Sequence, residues 1–151
     1  MSVTYNIKIN IVRREKIDLS STDILESLID AGWSLFSEEN LIIYTDIGDD
    51  DDFNFMSKSM NKNQYYTIVK QKQKNDEVIG LAMFFLEDNY RYRIDVIITS
   101  EFEIIISPDD ATKKMLSYDL DLLDVNWYFY RIIPYLTNKK MLVESFSFSQ
   151  Y

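Results

Sequence analysis

Apolar and polar residues alternate almost from the start of the chain: Val3, Tyr5, Ile7, Ile9 and Ile11 interleave with Thr4, Asn6, Lys8 and Asn10. A period of two belongs to a strand with one buried face, so a strand is expected here. A charged turn, Arg13 to Lys16, leads to S-S-T-D, where Ser20 can cap a helix and Asp23 can reach back to it three residues later. Ile24, Leu25, Leu28 and Ile29 follow at helical spacing, and Gly32 stands where a left-handed closing residue is wanted. The pattern predicts a short helix over roughly 21–31. Beyond the Glu38-Glu39-Asn40 break, Leu41 to Thr45 reads as a second strand.

From Ser57 to Glu77 two readings compete. Met56, Met60, Tyr65, Ile68, Val69 and Lys72 fit a helical face, while Tyr65 to Gln71 also fits a strand turned through Asn75-Asp76. The helix is favoured, with Q-K-Q-K as its solvated basic end. Between Val78 and Ile106 three runs rich in β-branched and aromatic residues are separated by E-D-N and S-E, the pattern of an antiparallel meander. Pro108-Asp109-Asp110 closes it, and Met115 to Leu120 reads as one more short strand or as irregular packing. Asp124 then caps a helix whose apolar face is Val125, Tyr128, Phe129, Ile132, Ile133 and Leu136, with Trp127 and Tyr130 pointing elsewhere. Pro134 should kink or end it near Tyr135, since its ring removes a donor and crowds the preceding turn. Met141 to Ser149 alternates as a terminal strand, with Leu142, Glu144, Phe146 and Phe148 set against Val143, Ser145 and Ser147. These elements describe an α+β fold: a mainly antiparallel sheet with a central three-stranded meander, covered by two or three helices. No internal repeat and no Gly-, Pro- or Ser-rich linker interrupts the chain, so residues 1–151 are read as one domain.

Charge and residue usage narrow the chemistry. With 25 acidic against 16 basic residues the net charge is -9, which disfavours nucleic acid and anionic membrane and favours a basic protein partner. There is no Cys and no His, so disulfides, thiol nucleophiles, imidazole-ligated zinc and the Ser-His-Asp and Cys-His devices are all excluded. The opening M-S-V-T-Y-N-I-K-I-N lacks the apolar run of a signal peptide or membrane span, and a cytoplasmic location is expected. No glycine-rich phosphate loop or nucleophile elbow is present.

Three sets of residues are candidates for function. The first is I-G-D-D-D-D-F, where like charges repel one another and favour an exposed loop that re-enters the fold through Phe53, Phe55 and Met56. Its Asp49, Asp50, Asp51 and Asp52, with Phe53, suit contact with a basic partner. Together with Asp46 they also offer oxygens to a hard cation such as calcium. With Asp46 as first ligand, however, Asp51 stands where an EF-hand needs glycine and Ser57 where it needs glutamate. No metal or other cofactor is expected.

The second candidate is the aromatic set Trp33, Phe36, Phe53, Phe55, Trp127, Tyr128 and Tyr130, of the kind an interface uses beside carboxylates, although helical and strand spacing assigns most of these rings to the core. Trp127 is the exception, off the apolar face of its helix, where either a second layer or a partner must cover it. The third is a carboxylate pair drawn from Glu87, Asp88, Asp95, Glu101 and Glu103 for acid-base hydrolysis. Asp95 is the most suggestive of these, although alternation with Ile94 and Val96 places it on the solvent face of the sheet.

The D-A-G-W-S after the first helix, the I-G-D-D-D-D-F loop and the L-D-V-N-W-Y opening of the last helix together resemble the small bacterial proteins that accompany polymorphic toxins as immunity factors. The resemblance implies a non-enzymatic, stoichiometric inhibitor in the cytoplasm that binds a basic toxin domain, often a nuclease, with carboxylates standing in for phosphates. It assigns no individual binding residue. The other classes to weigh are a structural or regulatory protein that self-associates through an exposed sheet edge or Trp127, and, last, an enzyme using carboxylates or a cation.

Overall fold

The computed structural model describes residues 3–15 and 17–151; Met1, Ser2 and Lys16, the last of which belongs to the expected charged turn, lie outside it. Tyr5–Arg13 forms β1, Ser21–Asp30 forms α1, and Ile42–Tyr44 and Met56–Lys58 form the short strands β2 and β3. Lys62–Lys74 is helical (α2), which settles the ambiguous stretch in favour of the helix. The meander follows as β4 (Ile79–Glu87), β5 (Tyr90–Ile98) and β6 (Glu103–Pro108). Met115–Ser117 (β7) and Leu122–Leu123 (β8) make a small separate ribbon. The chain ends with α3 (Val125–Ile132), a 3-10 turn at Ile133–Leu136 that contains Pro134, and β9 (Met141–Gln150).

Seven strands form one antiparallel sheet in the order β3-β2-β4-β5-β6-β1-β9. The α+β expectation, with the meander at the centre of the sheet and three α-helices among the described residues, therefore holds. Two-residue alternation decides which side each strand buries. Ile7, Ile9, Ile94, Val96, Ile104 and Ile106 are wholly buried on one face, where Leu25 and Leu28 of α1, Tyr65 and Val69 of α2, and Tyr128 and Ile132 of α3 join the same core. The opposite face is half-exposed along β1, β5 and β6 and largely polar, with Asn6, Lys8, Asp95 and Ser107 on it around the paired Ile97 and Ile105.

Local signals explain the joints. The Asp23 carboxylate accepts from the Ser20 N–H at 2.9 Å, which fastens the start of α1, and Gly32 closes the helix at φ +109. A Cβ at Gly32 would lie 2.8 Å from the Phe85 ring, so the glycine is needed for space as well as for its backbone angle. Asp88 and Asn89 both take positive φ between Glu87 and Tyr90, the left-handed pair that a two-residue hairpin requires.

The last strand departs from strict alternation. Its register against β1 shifts between Asn10 and Ile11, where Ser145 pairs with Asn10 and Val143 with Ile11, so Glu144 is an extra residue in a bulge. Met141 and Val143 therefore share the covered face with Phe146 and Phe148, correcting the expected grouping of Leu142 and Glu144 with the phenylalanines.

Candidate functional site

The acidic loop lies between β2 and β3, and a lysine holds it. Along α2 the residues Tyr65, Val69 and Lys72 fall at i, i+4 and i+7, so all three face the core. Lys72 is 1% exposed, which corrects the expectation that the whole Q-K-Q-K end is solvated. Its ammonium donates to the Asp46 carbonyl at 2.7 Å and to the Asp49 carbonyl at 2.5 Å, and pairs with Glu77 Oε1 at 3.3 Å. A buried ammonium needs several acceptors to replace water, and the loop backbone supplies two of them.

Further bonds stiffen the loop. The Asp49 carboxylate accepts from the Phe53 and Asn54 N–H groups at 3.0 and 2.7 Å. The Asp50 carboxylate accepts from the Val78 N–H at 2.6 Å, and Glu77 Oε1 accepts from the Gly48 N–H at 2.6 Å. Burial alone would raise the Glu77 carboxyl, but hydrogen bonds from Asn75, Gly48 and Lys72 outweigh it and hold the group below its ordinary range. On the far side of β4, Phe55 packs over Gly80, where an added Cβ would meet Thr45 at 3.1 Å and Phe55 at 3.6 Å.

The five sequence candidates in this loop thus divide by role. Asp49 and Asp50 spend their carboxylates on holding the loop, whereas Asp51 and Asp52 are exposed and make no hydrogen bond or ion pair among the described residues. Phe53 sits between them and the strand at φ +52 and is 37% exposed. Asp46, Asp49 and Asp52 rim a shallow groove of about 430 Å³ whose floor includes Phe55 and Met56. The turn from α2 to β4 adds Asp76 and Glu77 to the same end of the molecule, a contribution that lies 24 residues or more from the run of aspartates and that no local sequence signal joins to it. Among the described residues, no three Asp or Glu side chains are arranged to hold a metal ion.

Trp127 occupies a different place from the one its helical position suggested. It is 7% exposed and covered by the chain's own second layer, so it is not presented to a partner. Its ring lies 4.6 Å from Tyr92, 4.8 Å from Tyr128, 5.6 Å from Phe85 and 6.1 Å from Trp33, and the Arg131 guanidinium sits 4.4 Å above it. Trp127 Nε1 and Arg131 donate to the two oxygens of Glu87 at 3.0 and 2.8 Å, and these hydrogen bonds keep the Glu87 carboxyl below its ordinary range. The indole links α3 to the end of β4; it is structural.

The remaining carboxylate candidates do not share a site. Glu87 is committed to Trp127 and Arg131, and Asp95 pairs with Arg93 at 3.0 Å on the open face of the sheet. Burial raises the Asp95 carboxyl despite that arginine. Asp88 lies in the β4–β5 turn, Glu101 in the next turn, and Glu103 opposite Asn10. No helix is long and apolar enough to cross a membrane among the described residues. The chain matches no protein-family model, and no curated protein or solved structure matches it.

Proposed function

We propose that this chain is a non-enzymatic protein-binding domain that docks a basic partner on its acidic end, acting in the cytoplasm as an immunity protein against a basic toxin domain. The observation that carries this reading is the division of labour in the loop. Lys72, Asp49 and Asp50 fix the backbone from within, so Asp51, Asp52 and Phe53 stand on a preorganised ledge and little ordering entropy is lost when a partner binds. The surrounding negative field steers a positive surface toward the ledge, and the half-exposed Phe53 ring gives that surface an apolar contact.

The test uses wild type and the Asp51→Asn/Asp52→Asn double variant as baits in a native lysate at low and at high salt. A basic protein held stoichiometrically by wild type, released by salt and held more weakly by the variant is the expected result. A partner bound equally by both baits removes the ledge from the mechanism. Folded wild-type bait that retains nothing at either salt overturns the protein-binding reading.

A further inference from the structure

The outer rim of β9 divides in two at the Glu144 bulge. Before the bulge, the Thr137–Lys140 loop covers it: the Met141 N–H donates to Asn138 Oδ1 at 3.3 Å and the Val143 N–H to Thr137 Oγ1 at 3.3 Å. After the bulge the rim is open. Thr4 and Tyr151 exchange main-chain bonds of 3.1 and 2.9 Å, so by antiparallel alternation Ser149, Ser147 and Ser145 also turn their main-chain groups toward β1. Phe146, Phe148 and Gln150 then turn theirs outward, and among the described residues those groups meet no partner. Ser145 to Tyr151 carries no charged side chain in a protein of net charge -9. Phe146, 49% exposed, borders an apolar groove of about 350 Å³ formed with Phe129, Tyr130, Ile133 and Pro134. Natural edge strands are kept from pairing by brevity, charge, proline, a bulge or a covering loop; on β9 the bulge and the loop lie at and before Glu144, and the stretch from Ser145 to Gln150 carries none of these devices.

We propose that a second copy of this chain pairs with this edge, β9 against β9, antiparallel about a two-fold axis at Ser147. The stretch S-F-S-F-S is complementary to itself in that register. Phe146 of one copy lies opposite Phe148 of the other on the helix-covered face, Ser145 lies opposite Ser149 on the open face, and the outward main-chain groups of the phenylalanines complete a ladder. Charge selects the copy over the basic partner: the aspartate ledge flanks the opposite edge of the sheet and stays free, while the joint falls on the uncharged stretch where two acidic molecules repel least. The two apolar grooves beside the joint add to the area that a stable interface needs, on the order of 800 Å² per partner.

Sedimentation equilibrium of the full chain from about 1 to 300 µM is expected to show a monomer–dimer equilibrium. Ser147 is exposed and opposite Lys8 in its own copy, so Ser147→Glu is tolerated by the monomer but sets two carboxylates face to face across the axis. It is expected to weaken the dimer several-fold with an unchanged monomer melting temperature, and mixing it with Ser147→Lys is expected to restore association. Wild type that stays monomeric throughout overturns the proposal, as does a dimer that Ser147→Glu leaves equally tight. Neither outcome touches the aspartate ledge, so the two readings fail separately.

Discussion

At one edge of the main sheet, β3 is three residues long, carries Lys58 and adjoins an acidic loop; at the other, β9 is ten residues long and its outer half bears no charged side chain. The first edge is held by hydrogen bonds to charged groups, centred on Lys72, Asp50 and Glu77. The second is held by its main-chain ladder to β1 and by ring packing, with Phe146 5.1 Å from Phe129 and Phe148 stacked 6.3 Å from Tyr5. Two ends of one sheet thus answer to different variables. Charge and pH govern the acidic edge, whereas loss of apolar surface governs the neutral one.

The largest effect expected from this contrast is that of Lys72→Ala. It strands two carbonyls and Glu77 around an empty position, and urea unfolding is expected to show a loss of about 3 kcal/mol. A loss below about 1 kcal/mol would mean that water replaces the ammonium easily and that the loop needs no anchor.

Acid should separate the edges next. The folded Glu77 carboxyl lies below its ordinary value of 4.5, so its contribution is full above that pH and is lost as pH falls through the folded value. Amide exchange, corrected for intrinsic rates, is therefore expected to rise at Gly48, whose N–H donates to Glu77, before it rises at Ser145 and Ser147. Simultaneous loss at both edges would erase the distinction. Asp50→Ala should be milder, about 1 kcal/mol in thermal or urea unfolding, because it removes one hydrogen bond, to the Val78 N–H. Smallest of all, Asp51→Asn/Asp52→Asn should change stability by less than about 0.5 kcal/mol, since neither residue holds anything; a larger change would show that the ledge is structural.

Much of this architecture was legible because period and punctuation agree along the chain. The two-residue period of β1, the meander with its short polar breaks, the Ser20–Asp23 box and the Asp124 cap each carry their signal within a few residues. Lys72 shows where such reading stops. Its spacing from Tyr65 and Val69 already placed it on the buried face, yet its ammonium argued for solvent, and the carbonyls that reverse the argument come from residues 23 and 26 positions away. Trp127 fails for the same reason, because Glu87, Phe85 and Trp33 converge on it only in the folded chain. The aspartate run was correctly read as a loop, but the sorting of Asp49 and Asp50 inward from Asp51 and Asp52 outward depends on the N–H groups that happen to face each carboxylate.

The Glu144 bulge has a consequence for folding fidelity. The repeat S-F-S-F-S looks almost the same after a slide of two residues, so side chains alone leave β9 nearly degenerate among alignments on β1. The folded chain adopts one of them, marked by the bulge, with Ser145 beside Asn10 and Val143 beside Ile11. The extra residue breaks the translational symmetry of the repeat and turns a strand that could settle in several positions into one with a single home.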